Sequence, residues 1–419
     1  MEHLAWLRGL CFALTLLSVL FFSYQVFYLF FPFFKRIKKL PDAEPRRYGI
    51  LIAARNEQAV LPLLLDSIAK QDYPQDMLQV FVIADNCTDN TAQVAREHGA
   101  TVYCRTSTRK IGKGYALDYL LGKIKSDFGL EKFDSFMVFD ADNLLEPDYF
   151  RQINRICGAG YQAFCGYRNT KNFGTNWLTS GYGLWYIHES THMNRSRMML
   201  GTGCCVSGTG FGFTTQLLEQ LGGWRFFTLT EDLEFGAWCA SHGIKIGYCY
   251  DAVLYDEQPL TFIQSWRQRT RWAQGGIQVA CRYTGCLFKG IFSGNWSSYT
   301  CFELITLSLW GVAFLLLSSV LTSISIGLHC GWVPLLCSLG FGLVLSYIIS
   351  AVMAALALIK DWRRIRATRK EKIRSVFTFP FFMMTWLPIN LAAPFQKFTW
   401  TPIEHTVAVS ADSLHEETE

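Results

Sequence analysis

Two acidic residues, Asp140 and Asp142, are separated by one residue and directly follow the apolar run 136–139. Two hard oxygen donors at the end of a strand suit Mg²⁺ or Mn²⁺, which keeps coordination positions open for the oxygens of a diphosphate. We therefore predict that Asp140 and Asp142 bind the metal and that Asp140 also contacts the substrate. A simple turn, in which aspartate is common, is the alternative interpretation.

A second acidic pair, Glu231 and Asp232, lies in a segment rich in glycine and aromatic residues. A carboxylate within hydrogen-bond reach of a reacting hydroxyl accepts its proton as the new bond forms. A neighbouring acid raises the pKa of such a base or binds further hydroxyls. We predict that Asp232 is the catalytic base and that Glu231 assists it. The pair after Thr230 is also typical of a helix N-terminus, and both interpretations can hold together.

Residues 262–283 mix arginine, glutamine and tryptophan just before an apolar stretch, which is typical of an interfacial amphipathic helix. Gln268, Arg271 and Trp272 are spaced at i, i+3 and i+4, so they share one face of a helix. They supply an amide, a cation for a diphosphate and a flat surface on which a ring can stack. We predict that all three bind substrate.

These residues need elements that position them, and the sequence predicts a sheet. Apolar runs at 48–53, 78–84, 101–104 and 136–139 alternate with helix-like stretches, which indicates an α/β fold with a largely parallel, doubly wound sheet. Ligands bind such sheets at the carboxyl ends of the strands. The polar residues predicted to bind substrate there, or in the nearby basic loop, are Arg55, Asn56, Glu57, Asp85 and Lys113.

The composition is that of a membrane protein. Only 17% of the 419 residues are charged, against about a quarter in soluble domains. The uncharged stretches 9–34, 304–328 and 331–359 each exceed the roughly 20 residues that span a bilayer. A fourth, 375–396, contains Pro380, Pro388 and Pro394, so it either spans or forms a broken or re-entrant helix. The first is too long for a signal peptide, and no cleavage site follows it.

Basic clusters at 35–39 and 363–374 flank these stretches. By the positive-inside rule, they place residues 35 to about 300 in the cytoplasm and the N-terminus outside. The net charge of +5 comes mostly from these clusters, which favours contact with lipid headgroups over nucleic-acid binding. The fourteen cysteines have no zinc-type spacing, so reduced thiols are expected. We predict a bilayer partner and no nucleic acid.

Together the motifs resemble the membrane-integrated family 2 glycosyltransferases, which include synthases of cellulose, chitin, hyaluronan and poly-N-acetylglucosamine. The stretch 267–276 looks especially like the poly-N-acetylglucosamine synthases. The matched residues, in order, are Arg55-Asn56-Glu57, Asp85, Gly112-Lys113, Asp140-x-Asp142, Ser207-Gly208-Thr209-Gly210, Thr230-Glu231-Asp232 and Gln268-x-x-Arg271-Trp272.

The resemblance implies a Rossmann-like GT-A domain on the cytoplasmic face of the plasma membrane, joined to transmembrane helices. It also implies a UDP-sugar donor, a divalent metal, and inverting, processive elongation of a β-linked polysaccharide that is coupled to export. Single addition to a lipid acceptor, as in ceramide or diacylglycerol glucosyltransferases, is the alternative. A scaffold with a dead transferase domain is disfavoured by the intact acids at 140, 142 and 232.

Five regions are expected along the chain: a transmembrane helix and basic stop (1–44), the GT-A domain (45–256), interfacial helices (257–299), transmembrane helices (300–396) and a tail (397–419). The approach to the acceptor site through Cys204-Cys205 departs from the better-known branches, which leaves the sugar open. About four spans are fewer than cellulose synthase has. Whether one chain can form a polymer channel is therefore undecided. An accessory subunit or a homo-oligomer also stays open.

Overall fold

The structure, a computed structural model, describes residues 5–396, so the predicted tail at 397–419 lies outside the described residues. The strands are β1 Tyr48–Ala54, β2 Leu78–Asp85, β3 Thr101–Arg105, β4 Ser135–Asp140, β5 Leu144–Leu145, β6 Ala163–Thr170, β7 Phe211–Thr214 and β8 Ile246–Asp256. The helices are α1 Ala5–Phe34, α2 Leu61–Ala69, α3 Thr91–Glu97, α4 Lys113–Asp127, α5 Tyr149–Gly158, α6 Trp177–Ile187, α7 Arg195–Leu200, α8 Thr215–Gln220, α9 Glu231–Ser241, α10 Phe262–Ile291, α11 Trp296–Thr306, α12 Leu309–Cys330, α13 Trp332–Asp361, α14 Arg369–Met384 and α15 Trp386–Ala392.

The strands form one mixed sheet in the order β3-β2-β1-β4-β7-β6-β8-β5. The four predicted strands are confirmed, and β1 pairs in parallel with both β2 and β4. Beyond β4 the expected parallel pattern ends, because β7 runs antiparallel to both β4 and β6. The short strand β7 thereby joins the parallel half of the sheet to a second half that the sequence pattern did not reveal.

Helices cover both faces of the sheet and hold the strand ends in place. Leu117, Leu120 and Leu121 of α4 pack on one face. On the other face, α2 and α5 pack against the apolar side chains of β1, including Ile50 and Ile52. Because β1 is buried on both sides along almost its whole length, it is a central strand of the kind found in parallel sheets.

Four helices are long and apolar enough to cross a membrane: α1, residues 310–330 within α12, α13 and a segment spanning residues 369–395. The last contains the stretch 375–396, for which the sequence did not decide between a spanning helix and a broken or re-entrant one. It is divided at Thr385 into α14 and α15. Pro380 lies inside α14, so the break does not fall at that proline. Arg269 of α10 donates a hydrogen bond to Thr385 Oγ1 at this break.

The sheet is joined to the apolar helices through residues 177–200. These residues form α6, a π-helical segment at His188–Asn194, and α7. The π-helical segment contacts both α1 and α13. Arg197 pairs with Glu303 of α11 at 3.3 Å, and both side chains are buried. Polar contacts of this kind tie the sheet to the apolar helices.

Candidate active site

Gly208 is the point at which separate parts of the chain meet. It has a φ of +81°, which favours glycine. Lys113 Nζ, at the first position of α4, donates to the carbonyl oxygen of Gly208 at 2.8 Å and to Asp140 Oδ1 at 2.5 Å. A β-carbon on Gly208 would lie 3.7 Å from Arg168 Nη1 and 3.8 Å from Asp232 Oδ2. The predicted acids at the end of β4 and at the start of α9 therefore face one cleft.

Asp140 and Asp142 differ in their surroundings. The Asp140 side chain is 38% exposed and pairs with Lys113, whereas Asp142 is buried. Asp142 Oδ2 accepts the backbone N–H of Glu257 at 2.8 Å, so it also ties β4 to the chain after β8. Within residues 5–396, no group of three or more His, Cys, Asp or Glu side chains is arranged to hold a metal alone. This donor set fits Mg²⁺ or Mn²⁺, which binds through one or two carboxylates together with substrate phosphates.

The charge of Lys113 is favoured by its neighbours. Burial opposes the charged form, but the carboxylates of Asp140, Glu231 and Asp232 outweigh it and raise the pKa of Lys113. The ammonium group therefore stays protonated at neutral pH. Its position between the two acidic pairs suits an anion such as a diphosphate, which would compete with Asp140 for the same donor.

Glu231 and Asp232 occupy the first turn of α9, as the sequence predicted. Burial raises the pKa of Glu231 to about 7, and the negative charge of Asp232 adds to the shift while Lys113 opposes it. Burial also raises the pKa of Asp232, against the backbone N–H of Leu233 and the charge of Lys113. Thr230 is the residue before the helix, as expected, but its side chain makes no capping hydrogen bond.

Helix α10 lies directly against the loop that leads into α9. Arg271 Nη1 donates to the carbonyl oxygen of Leu229 at 3.2 Å, and its charge acts on both acids of the pair. The amide oxygen of Gln268 is buried without a hydrogen-bond partner in the described residues. Trp272 lies edge-on to Tyr182 at 5.9 Å and stacks on Trp386 at 6.3 Å. Arg271 therefore reaches the acidic pair, while Trp272 forms part of an aromatic wall.

Asp85 is buried and forms an ion pair with Arg105, with 2.6 Å between Asp85 Oδ1 and Arg105 Nη1. Burial raises the pKa of Asp85, and the charges of Arg105 and Arg55 oppose that shift. The carboxylate lies at the end of β2, as expected. Here the carboxylate pairs with Arg105, the last residue of β3, and so joins β2 to β3. Its predicted contact with a nucleotide stays a prediction.

The residues after β1 connect neighbouring loops. Asn56 has a φ of +59°, and its side-chain oxygen accepts the backbone N–H of Thr88 at 2.8 Å. The backbone N–H of Glu57 donates to Thr91 Oγ1 at 2.9 Å. Arg55, Asn56 and Glu57 therefore lie at the predicted edge of the sheet. The contacts of Asn56 and of the Glu57 backbone join the loops after β1 and β2.

Sequence reasoning missed an ion pair between Arg168 and Asp256, which lies beside the cleft. Arg168 Nε donates to Asp256 Oδ2 at 2.7 Å, and its guanidinium lies 3.7 Å from the centre of the Tyr186 ring. Burial raises the pKa of Asp256 to about 6, while Arg168 lowers it and Asp142 raises it. The two residues lie on β6 and β8, which pair in parallel. No local pattern pairs residues so far apart in the chain.

Glu189 of the π-helical segment is a further acid that the sequence pattern did not single out. Burial raises its pKa, Arg168, Arg197 and a hydrogen bond with Ser207 lower it, and the charge of Asp232 raises it. Glu189 is therefore a third carboxylate close to Asp232 and the Gly208 loop. π-helical turns often occur at functional sites because the extra residue redirects side chains.

Residues 45–275 match the family model described as glycosyltransferase-like family 2. A probable glycosyltransferase of Bacillus subtilis, YdaM, is 27% identical over 261 residues, which cover 61% of this chain and 60% of the relative. Beta-monoglucosyldiacylglycerol synthase of Synechocystis is 28% identical over 235 residues (55% and 47%). Poly-beta-1,6-N-acetyl-D-glucosamine synthase of Staphylococcus aureus is 24% identical over 286 residues (62% and 67%). The chain thus spans roughly half to two thirds of these relatives.

A solved structure has the same fold. The mannosyltransferase from Pyrobaculum calidifontis, in complex with GDP-Man and Mn²⁺, superposes with a TM-score of 0.56 at 19% identity, over 92% of this chain and 99% of that one. This similarity confirms the expected GT-A sheet with attached apolar helices. The family match covers more than half of the residues, and the chain belongs to the glycosyltransferase-like family 2.

Proposed function

We propose that this protein transfers a sugar, with inversion, from a UDP-sugar to a hydroxyl acceptor at the cytoplasmic face of the plasma membrane. The convergence of Lys113, Asp140, Arg168 and Asp232 around Gly208 is the observation that carries this proposal. One side of that cleft is cationic and suits a diphosphate. The other side holds a carboxylate that suits a hydroxyl proton.

On the donor side, Lys113 is the cation nearest Asp140, and Arg271 approaches from α10. Both bind the diphosphate as the bond from the sugar carbon to the diphosphate oxygen breaks. The acids after β4 fit Mg²⁺ or Mn²⁺ held by Asp140, with Asp142 beside it, and such an ion offsets the charge of the leaving diphosphate. Asp85 and the residues 55–57 at the neighbouring strand ends are proposed to hold the nucleotide.

On the acceptor side, Asp232 accepts the proton of the attacking hydroxyl. Burial raises its pKa, which makes it a stronger base than an exposed aspartate. Glu231 and Glu189 lie close enough to act on it electrostatically, and they are proposed to orient acceptor hydroxyls. Gln268 and Trp272 are proposed to border the acceptor end of the cleft, because both lie on α10 within one turn of Arg271 and the buried amide oxygen of Gln268 has no hydrogen-bond partner in the described residues.

Two acceptor classes remain distinct candidates. A growing β-linked polysaccharide, elongated processively, is favoured by the motif order that ends in Gln268-x-x-Arg271-Trp272 and by the poly-N-acetylglucosamine synthase among the relatives. A membrane lipid that receives a single sugar is favoured by the somewhat higher identity to beta-monoglucosyldiacylglycerol synthase. The four candidate spans suit either acceptor.

The test incubates purified protein in detergent with UDP-glucose, UDP-galactose, UDP-N-acetylglucosamine or GDP-mannose, each with Mn²⁺ or Mg²⁺. Release of the free nucleotide identifies the donor. Extraction into organic solvent or separation by size then distinguishes a glycolipid from a polymer. Asp232→Asn is expected to lower release by a factor on the order of 10² to 10⁴, whereas the exposed Asp76→Asn is a surface control. Unchanged turnover in Asp232→Asn would exclude that base, and no release from any donor would refute the transfer.

A further inference from the structure

Three cations lie near one another at the ends of the apolar helices α1 and α13. Arg36 is the second residue after α1, Lys360 is the next-to-last residue of α13, and Arg195 begins α7. The charges of Arg36 and Arg195 both act on Lys360. Among residues 5–396, none of the three forms an ion pair with a carboxylate. Asp361 is the carboxylate whose charge acts on Lys360, so among these neighbouring charges the three cations outnumber it.

The three side chains differ in burial, since Arg195 is buried, Lys360 is half-buried and Arg36 is exposed. Arg195 is 7% exposed, and its Nε has no hydrogen-bond partner in the described residues. Its guanidinium lies 4.4 Å from the centre of the Tyr250 ring, and Lys360 Nζ lies 5.1 Å from the centre of the Phe33 ring. Aromatic faces of this kind hold a cation in place without neutralising it.

The nearest carboxylate, Asp361, is already used by other groups. Its Oδ2 accepts hydrogen bonds from Tyr167 at 3.0 Å and from Thr191, and its Oδ1 accepts one from Tyr250. Arg364 Nε lies 3.9 Å from the same carboxylate. A single carboxylate that is shared with Arg364 balances only part of the charge of Arg36, Arg195 and Lys360, and an external anion would balance the rest.

Exposed apolar side chains lie next to this cluster. Phe34, at the end of α1, is 85% exposed, and Ile359, beside Lys360 on α13, is 64% exposed. Both belong to helices that are long and apolar enough to cross a membrane. A group that binds here meets cations and hydrocarbon-type surface at the same place, which is the combination offered by a phospholipid at the edge of the bilayer.

We propose that Arg36, Arg195 and Lys360 bind the phosphate of an anionic phospholipid, whose acyl chains lie along α1 and α13. None of the three is among the residues proposed to bind substrate, so the proposal does not depend on sugar transfer. A basic residue near an anionic surface contributes about 1 kcal/mol. Three such residues therefore correspond to roughly 100-fold in lipid affinity.

The test places the full chain in nanodiscs of phosphatidylcholine with increasing phosphatidylglycerol and measures retained lipid by native mass spectrometry. Arg36→Gln/Arg195→Gln/Lys360→Gln is expected to lose most bound phosphatidylglycerol. The control Arg363→Gln/Arg369→Gln/Lys370→Gln removes three exposed cations near the same end of the apolar helices and is expected to retain it. Equal losses in both triple variants would refute a specific site.

A double variant and a competition with phosphate test the lipid assignment further. If the buried Arg195→Gln change prevents folding, Arg36→Gln/Lys360→Gln removes the two more exposed cations and is expected to weaken retention about 10-fold or more. Inorganic phosphate is added as a competitor at the same membrane composition. Displacement by phosphate, with no preference for phosphatidylglycerol over phosphatidylcholine, would show a free-anion site and overturn the lipid assignment.

Discussion

Gly275 of α10 and Thr230, the residue before the acidic pair, are in direct contact. A β-carbon on Gly275 would lie 2.4 Å from Thr230 Oγ1 and 2.5 Å from Thr230 Cγ2. Real side chains do not approach so closely, so any larger residue at 275 displaces the helix or the loop. The contact sets the distance between α10, which carries Arg271, and the first turn of α9.

We predict that Gly275→Val lowers nucleotide release at least 10-fold, because it moves Arg271 away from Glu231 and Asp232. Gly276→Val is the matched control, since a β-carbon there has no atom within 4 Å and the intrinsic helix propensity changes equally. Release is measured at saturating donor, with thermal unfolding of both variants alongside. Equal activities in the two variants would show that the close contact is not needed.

The acidic pair predicts a pH dependence. With the pKa of Glu231 near 7, the pair gains a proton as the pH falls through neutrality, so activity is lost on the acidic side. Glu231→Gln removes one of the two coupled carboxylates, and its acidic limb is expected to shift to lower pH even if the maximal rate also falls. The normalised kcat/KM is measured between about pH 5 and 9. The exposed Glu219→Gln is the control, and an unshifted limb in Glu231→Gln would contradict the prediction.

Removal of divalent metal is expected to stop the reaction. EDTA should abolish nucleotide release, and Mn²⁺ or Mg²⁺ should restore it. Asp140→Asn is expected to raise the Mn²⁺ concentration needed for half-maximal activity by 10-fold or more. Asp142→Asn instead weakens the contact with the Glu257 backbone and is expected to lower the thermal unfolding temperature as well. Full activity in EDTA would exclude the metal.

Two arginines of α10 make a matched pair for stability. Arg269 is fully buried and donates to Thr385 Oγ1 at 2.6 Å, and its guanidinium lies 4.6 Å from the centre of the Phe382 ring. Arg267 is exposed. We predict that Arg269→Ala lowers the free energy of unfolding by about 1–3 kcal/mol, whereas Arg267→Ala changes it by about 0.5 kcal/mol or less. Thermal unfolding in detergent compares them, and equal effects would contradict the assigned contact.

The parallel half of the sheet could be predicted from the sequence, because each of its strands is marked by a local run of apolar residues. The apolar runs of β1, β2, β3 and β4 are each followed by polar residues, and the order of motifs indicated the family. The mixed half could not be predicted, because β7 is only four residues long and its pairing with β4 joins segments that are far apart in the chain. The Arg168–Asp256 pair depends on the non-local pairing of β6 with β8, whereas Asp85 and its partner Arg105 face each other across the parallel strands β2 and β3.

The broken fourth stretch is partly a local case. The helix divides at Thr385, one turn before Pro388, whose missing N–H and bulky ring interrupt the helix there. The hydrogen bond from Arg269 to Thr385 at this division could not be predicted, because it joins distant segments of the chain. Glu189 is a similar case, because only the π-helical turn around it brings its carboxylate near Asp232.

Arg269 and Arg271 stand two positions apart on α10, one joined to Thr385 and the other to Leu229 beside the acidic pair. Each residue of an α-helix adds about 100° of rotation and 1.5 Å of length. Inserting or deleting one residue between them would turn one guanidinium away from its partner while the other stayed in place. The two-residue spacing therefore fixes the orientation of the Thr385 segment relative to the acidic pair. An insertion or deletion here should be tolerated far less well than a substitution of the residue between the two arginines.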